Sequence, residues 1–419
     1  MNKNIKLAVA GAVLALSASA QAGIIIPAGD WTLDIGGNVN TFATTTRQSG
    51  DLTARGGGIY GATHDTNDTG TKSASNLTTG LLPNYLSVSG STRQNDLDVA
   101  FTISINPGSS TTRSGIQNDL GNQENRQAFL TFGDKSWGSI KIGKDIGVFA
   151  QDAILNDMTL LGVGRGAGSL AGNTTTTGRI GSGFMYADWK AQVNYTTPNF
   201  NGFQVTAGVS QAWNTWSTYS AGQSVSAASS GRGGASPAID LKASYTWDSG
   251  KIWTSATRQT VRGLAGGTTT RNTNDAFAAD LGANINIGNF GFTAYGYAGE
   301  GIGQTHQLLD GFAWDGTRRE SNGGYVQATY TLPTKTKLGM AYGESHLDRA
   351  NTADVIGDTK DSLYTVGLYH PLTKHLNLVA EYNQAEHEVN GSGTTTNAAT
   401  NRNGEAKAKN VSLGAILFF

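Results

Sequence analysis

Long stretches of this chain alternate strictly between apolar and polar residues. In Leu97–Asn106 every odd position is apolar and the even positions are polar or small, and Ile239–Trp247 repeats the pattern. Alternation of this kind gives a β-strand one apolar and one polar face. The runs reach the roughly 9 to 11 residues that cross a bilayer at a tilt, whereas strands of soluble sheets average about 5 to 6. The pattern therefore favours a transmembrane β-barrel over a soluble sandwich or a solenoid.

The composition agrees with a barrel and excludes helical membrane spans. Hydrophobic residues make up 38% of the 419-residue chain, and past the first segment no apolar run is long enough for a spanning helix. A barrel needs only alternate residues to face lipid. The formal net charge of −1 gives no reason to expect nucleic acid as a partner. Because the chain has no cysteine, disulfides and thiolate-bound metal are also excluded.

The first residues have the form of an export signal. Lys3 and Lys6 form a positive region before the short apolar stretch Leu7–Leu16, and Ala20-Gln21-Ala22 forms a small-x-small cleavage site. The apolar stretch is shorter than the roughly 20 residues of a membrane anchor. We therefore expect residues 1–22 to be a cleaved signal peptide and residues 23–419 to form one barrel domain.

The last residues form an alternating strand that ends on an aromatic. Counting back by twos from Phe419 gives Leu417, Ala415, Leu413 and Val411. In an exported chain this ending is typical of outer-membrane β-barrels of Gram-negative bacteria. We expect Leu413, Leu417 and Phe419 to act as the signal that the barrel assembly machinery reads.

About sixteen strands can be marked, with fourteen or eighteen remaining possible. They are expected near residues 31–43, 84–92, 96–106, 125–133, 136–144, 186–197, 203–213, 237–248, 250–262, 275–287, 289–299, 323–333, 336–346, 361–371, 374–387 and 408–419. Short turns rich in Gly, Pro, Asn and Asp connect alternate pairs, as at Asp248-Ser249-Gly250. We expect these short turns to lie on the periplasmic side. Long polar stretches between the other pairs, including residues 145–185 and 300–322, predict the outer loops.

The third outer loop differs from the others in composition. Its first part, Asp145–Leu161, is much less polar and has room for a helical turn. We expect this loop to fold into the lumen, with its apolar side packed on the wall and its acids facing the pore. The expected acidic side consists of Asp145, Asp152 and Asp157. The expected basic wall facing it consists of Arg126, Lys141, Lys144, Arg179 and Lys190.

Several short motifs, taken together, resemble the general trimeric porins of Gram-negative outer membranes over essentially the whole mature chain. They are Arg126-Gln127-Ala128-Phe129, the strand from Gly138 to Gly143-Lys144, Gly178-Arg179-Ile180-Gly181, Asn194-Tyr195 with Pro198 and Gly202-Phe203, Leu368-Tyr369-His370 and the terminal Phe419. In the family, acids of the third loop face a basic cluster across the pore. By this resemblance Lys144 stands where Arg is usual and Arg179 matches a basic wall position. The acidic motif of enterobacterial members is absent.

The resemblance implies a water-filled channel for passive diffusion of ions and small hydrophilic solutes. It also implies a homotrimer in contact with outer-membrane lipids, and small residues such as Gly36, Gly37 and Gly90 would suit close packing between barrels. A substrate-specific channel with an aromatic track, including Tyr186 and Trp189, is the main alternative. A loop-presenting adhesin is a further one. No catalytic motif stands out, so we expect neither an enzyme nor a cofactor or metal.

Overall fold

The structure, a computed structural model, describes residues 23–50, 73–110, 123–165, 175–215, 236–264, 273–313, 315–352, 354, 357–391 and 404–419. The expected signal peptide lies outside these residues. In them are nineteen strands: β1 Ile24–Ala28, β2 Trp31–Gly50, β3 Ser73–Thr78, β4 Tyr85–Gln94, β5 Leu97–Pro107, β6 Gln123–Glu124, β7 Ala128–Asp134, β8 Gly138–Ile146, β9 Trp189–Thr196, β10 Phe203–Ser210, β11 Ala238–Trp247, β12 Gly250–Arg262, β13 Thr273–Ile287, β14 Phe290–Glu300, β15 Glu320–Thr331, β16 Lys337–Leu347, β17 Asp358–Pro371, β18 Leu376–Asn390 and β19 Gly404–Phe418.

Helical structure in the described residues is short. One helix, α1, covers Gln151–Leu155, and a helical turn covers Met158–Leu161. No helix in this part of the chain is long and apolar enough to cross a membrane.

The strands form one closed antiparallel barrel of sixteen wall strands. Two wall strands are each made of two segments, since β3 and β4 both pair with β2, and β6 and β7 both pair with β5. The barrel closes where β19 pairs with β2 over Asn38–Gly50. β1 adds a short hairpin on the first residues of β2. Closure leaves no open sheet edge in the wall, as a bilayer requires.

The alternation in the sequence decides which side chains face outward. In β5, Ile103 is 55% exposed on the outside, whereas Ser104 is 2% exposed and faces inward. In β13 the outward Leu281 and the inward Asp280 show the same division. The expected strand faces are therefore confirmed. Aromatic rings gather on the outside near the short-turn rim, where the ring centres of Phe290 and Tyr330 are 4.7 Å apart. This is the position of an interfacial aromatic girdle.

Loop lengths alternate as the sequence predicts. Short connections join β7 to β8, β9 to β10, β11 to β12, β13 to β14, β15 to β16 and β17 to β18. The main differences in the wall are β1 and β3, which the sequence did not indicate, and the extension of β2 to Gly50 where residue 43 was the expected end.

The break between β3 and β4 is completed by asparagine side chains of β2. Asn40 accepts a hydrogen bond from the Gly80 amide at 2.8 Å and donates to the Leu82 carbonyl at 3.0 Å. Asn38 donates to the carbonyl of Pro83 at 2.9 Å. These bonds replace part of the ladder that the break removes, because buried backbone groups need partners.

The terminal residue closes the seam against a glycine. Phe419 and Gly37 exchange both backbone hydrogen bonds, at 2.9 and 3.1 Å. A Cβ on Gly37 would lie 2.9 Å from Cζ of the Phe419 ring and 2.1 Å from the carbonyl oxygen of Tyr85. The ring covers Gly37, so this glycine does not offer the open packing surface that its small size suggested. The glycine is needed for the close approach at the seam.

Substitution Gly37→Ala should therefore lower the stability of the folded barrel by about 1–3 kcal/mol, the usual cost of overpacking. Heat-induced unfolding, followed by far-ultraviolet circular dichroism, measures the effect. Gly296→Ala is the matched control, since its added Cβ would come no closer than 3.6 Å to a neighbouring atom. Equal melting temperatures for the two variants would contradict the role of Gly37.

Candidate functional site

The described residues of the third outer loop, 147–165 and 175–188, enter the lumen and pack on the wall. Phe149, Ala153 and Val163 are fully buried. Phe149 and Ala153 belong to an apolar cluster that includes Trp253 and Tyr295 of the wall. This apolar contact removes side chains from water that an external loop would expose. The expected inward fold is therefore what the described residues of this loop adopt.

Wall side chains bind the loop backbone directly. Gln327 accepts from the Met158 amide at 2.7 Å and donates to the Asn156 carbonyl at 3.1 Å. The hydroxyl of Tyr325 donates to the Ala153 carbonyl at 2.8 Å. Further along, Glu381 accepts from the amides of Val163 and Gly164 at 2.8 and 2.9 Å. The loop is thus fixed at several points between β15 and β18.

Asp152 binds two wall lysines. Its carboxylate lies 3.1 Å from Lys242 Nζ of β11 and 2.5 Å from Lys251 Nζ of β12. Burial of the carboxyl opposes ionisation, but the two ammonium groups outweigh burial and lower the pKa of Asp152 below its ordinary value. The contact carries one negative and two positive charges, so it adds net positive charge to this side of the lumen.

Asp157 lies on the side of the third loop that faces away from the cavity. It caps the helical turn by accepting from the Thr159 amide at 3.0 Å, and its carboxylate is 3.6 Å from Arg179 Nε. Burial raises the pKa of Asp157, although Arg179 opposes the shift. Arg179 is itself fully buried and donates to the Leu363 carbonyl and to Thr365 of β17. Arg179 connects the loop to the wall and Asp157 pairs with it, and neither residue lines the lumen cavity.

The other predicted residues are distributed between the lumen, the loop base and the outer face. Asp145 pairs with Lys141 and accepts from Gln127 at 3.0 Å. Lys190 is buried and donates to Gln307 at 2.7 Å. Lys144 does not line the lumen. It shares the outward face of β8 with Ile142 and donates to the carbonyl of Asn125, because one step along a strand reverses the face.

Arg126 lies beside aromatic residues in the lumen. Its Nε donates to Glu124 at 2.7 Å, and its guanidinium lies 5.8 Å from the centre of the Trp189 ring. Trp189 donates from its indole nitrogen to the hydroxyl of Tyr186 at 2.9 Å. Burial raises the pKa of Tyr186 to about 12, so the hydroxyl stays protonated near neutral pH.

A cavity of about 2150 Å³ extends from the short-turn rim up to the third loop. Its charged lining includes Arg126, Glu124, Lys141, Asp145, Asp152, Lys242 and Lys251. Apolar side chains of the third loop also line it, among them Ile154, Leu155, Leu160 and Leu161. No group of three or more His, Cys, Asp or Glu in the described part of the chain is placed to hold a metal.

The third loop follows only part of the expectation that its apolar side faces the wall and its acids face the pore: Phe149 and Ala153 pack on the wall, but Asp157 does not line the cavity. Asp152 lines the cavity while it binds two wall lysines, Asp157 pairs with Arg179 of the same loop, and Leu155 and Leu161 also border the cavity. A buried carboxylate is costly without a partner. The wall supplies Lys242 and Lys251 for Asp152, whereas Arg179, which was expected on the wall, lies in the third loop itself and pairs with Asp157. Lys242 already stood on the polar face of the predicted strand. Its pairing with Asp152 depends on how the loop crosses the lumen.

Solved porins share this architecture. The outer membrane channel DcaP of Acinetobacter baumannii has a TM-score of 0.64 at 16% identity, covering 95% of this chain and 100% of that one. An anion-selective porin from Comamonas acidovorans has a TM-score of 0.59 at 15% identity, covering 93% and 100%. Salmonella typhi OmpF, in complex with daunomycin, has a TM-score of 0.54 at 12% identity, covering 93% and 100%. No curated protein sequence matches the chain.

The fold and its lumen define an outer-membrane barrel that encloses a solute path. The family model described as Gram-negative porin matches residues 7–391, so the chain belongs to the Gram-negative porin family. It is an outer-membrane channel through which solutes diffuse.

Asp152→Asn should loosen the contact between the third loop and the wall. Losing a hydrogen-bonded charge costs this contact about 1.5–3 kcal/mol, and Lys242 and Lys251 lose their carboxylate. We expect noisier single-channel currents and a reversal potential shifted toward anions. Asp275→Asn is the control, because Asp275 pairs with Arg258 away from the cavity. Identical ion selectivity in the two variants would show that the contact of Asp152 with Lys242 and Lys251 does not affect the ion path.

Proposed function

We propose that the protein is a passive diffusion channel for ions and small hydrophilic solutes, narrowed by its third outer loop, and that it is not an enzyme. The observation that carries the proposal is the 2150 Å³ cavity, which lies inside a closed barrel and reaches the inward loop. Its polar and charged lining suits solutes that keep their water. The barrel encloses this path while its outward apolar residues meet lipid.

In this proposal the charge of the narrowed section comes from ion pairs in direct contact on the wall and the third loop. Lys141 with Asp145 forms one pair, Lys242 and Lys251 with Asp152 form a second group, and Arg126 with Glu124 forms a third. Fixed opposite charges around a narrow aqueous gap order water and favour dipolar or charged solutes. Apolar solutes must disturb that water. Selection by polarity and size follows without a tight binding site.

Assembly as a homotrimer in contact with outer-membrane lipids is a further part of the proposal. One similar structure, with a TM-score of 0.51 at 15% identity, is a Vibrio cholerae outer membrane protein OmpT in its trimer form. The barrel of this chain exposes large apolar residues outward, among them Val39, Leu281, Val326 and Leu413. Such a surface requires either lipid or a neighbouring barrel.

A substrate-specific channel is the second candidate. Tyr186 and Trp189 are hydrogen-bonded to each other, Arg126 lies over Trp189, and all three line the cavity. Aromatic faces beside a cation can bind a flat solute. Such a channel would show saturable block by one class of solute, which general diffusion lacks.

Single-channel recording in a planar bilayer tests the proposal. We expect large conductance steps that scale with bulk salt, close in threes and show weak ion selectivity in a salt gradient. A panel of sugars and amino acids is added as blockers. Saturable block by one solute would show that the channel is substrate-specific and not a general diffusion channel. Purified protein that inserts without conducting would disprove the channel function.

Deletion of Phe419 should reduce insertion into the outer membrane. We propose that the assembly machinery reads this residue together with Leu413 and Leu417, whose side chains face outward at 59% and 43% exposure. The folded fraction in isolated membranes measures the effect. Deletion of Asn2 in the signal segment is the control for a change in length. Unchanged membrane yield without Phe419 would contradict the proposed signal.

A further inference from the structure

The described residues of the sixth outer loop, 301–313 and 315–319, also lie inside the barrel. The sequence predicted a polar outer loop here, but Ile302, Leu308 and Phe312 are buried. They belong to the same apolar cluster as Phe149 and Phe184 of the third loop. The sixth loop therefore packs against the third within the lumen.

One part of the sixth loop is held by the wall through Gln304. The amide nitrogen of this side chain donates to the Ser345 carbonyl of β16 at 2.7 Å. Its amide oxygen accepts from the Thr359 hydroxyl of β17 at 3.0 Å. Gln304 is buried, so both bonds form away from competing water.

The neighbouring part of the sixth loop holds the return arm of the third loop, residues 175–188. The Tyr186 amide donates to the Thr305 carbonyl at 2.9 Å. The side chain of Gln307 donates to the carbonyls of Tyr186 and Ala187 at 3.2 and 3.3 Å. The His306 ring meets the Tyr186 ring edge-on at 5.6 Å. The backbone of the return arm is thus bonded to the sixth loop at this point.

Gln307 also holds a buried cation. Its amide oxygen accepts from Lys190 Nζ at 2.7 Å, and this ammonium lies 4.8 Å from the centre of the Trp213 ring. Lys190 is 3% exposed. Gln192 and Asn194, the next inward residues of β9, line the cavity, whereas Lys190 does not. The side-chain amide of Gln307 therefore separates Lys190 from the water-filled cavity.

The backbone of the sixth loop is fixed in an unusual form. Leu308 has φ 67° and Asp310 has φ 54°, in the left-handed region that residues with a side chain seldom adopt. Such conformations persist where surrounding contacts determine them. The packing of Leu308 and the bond from Arg319 to the Asp310 carbonyl, at 2.7 Å, supply such contacts.

We propose that the sixth outer loop is a second constriction element that holds the return arm of the third loop and keeps Lys190 out of the lumen. Gln304 and Gln307 are the positioning residues. The inference rests on the proposed channel function and extends it, because pore width and ion preference then depend on a loop other than the third.

The test is Gln307→Ala in the full chain. We expect higher single-channel conductance, because the return arm loses two hydrogen bonds, and a reversal potential shifted toward anions, because Lys190 enters the lumen. Acylation of Lys190 by a water-soluble amine reagent, measured by peptide mass spectrometry, should be about tenfold faster or more, since a hydrogen bond to a charged group is lost. Adding Lys190→Met should abolish the anion shift and leave the conductance increase.

Thr317→Ala is the control, since the backbone hydrogen bonds of Thr317 stay within the same loop, and it should change neither currents nor labelling. Gln307→Glu keeps an oxygen that accepts from Lys190, but its carboxylate cannot donate to the carbonyls of Tyr186 and Ala187. It should raise conductance while Lys190 stays protected. Unchanged Lys190 labelling in folded Gln307→Ala, or rapid labelling in Gln307→Glu, overturns the inference. A chain that does not conduct at all refutes the channel function, whereas labelling still tests the loop contact.

Discussion

Backbone pairing inside a bilayer is the constraint on which the rest of this structure depends. A spanning strand has no water to satisfy its amides and carbonyls, so each needs a neighbour. The long β2 meets this need on both sides, pairing with β19 on one and with β3 and β4 on the other. Where the wall breaks between β3 and β4, Asn38 and Asn40 replace the missing partners. That break also receives the third loop, since the Leu81 amide donates to the Gly162 carbonyl at 2.9 Å.

Electrostatic matching explains how two loops can be placed in the lumen. Asp152 enters among apolar residues only because Lys242 and Lys251 meet it, and Asp157 is buried beside Arg179. Removing a charge from water without a partner would cost more than the apolar contacts return. The acids therefore serve the attachment of the loop, and the charge offered to solutes is what remains after these pairs form. Lys190, covered by Gln307, shows the same principle with a neutral partner.

Much of the barrel could be predicted because strand alternation is local. In Leu97–Asn106 and Ile239–Trp247 the alternation alone shows which side chains face lipid and which face the lumen. The short turns show which strands are neighbours in the wall. β1 and β3 were missed because β1 contains Pro27 and β3 is a short, polar segment inside an apparent loop. Lys144 was assigned to the lumen by its motif, and the register of β8 places it outside. The apolar third loop gave a usable signal, whereas the sixth loop, with Gln304, Thr305, His306 and Gln307, resembled an external loop in composition.

The sequence by itself determined the class of fold, the faces of the strands and the alternation of turns and loops, because these depend on a period of two and on local turn chemistry. Only the tertiary structure decided the direction of the loop acids, the pairing of Asp152 with Lys242 and Lys251, and the inward fold of the described residues of the sixth loop. Those features depend on which distant side chains the closed wall brings within hydrogen-bonding distance. Asp152 and Lys251 are separated by 99 residues in sequence and are brought together by the tertiary structure.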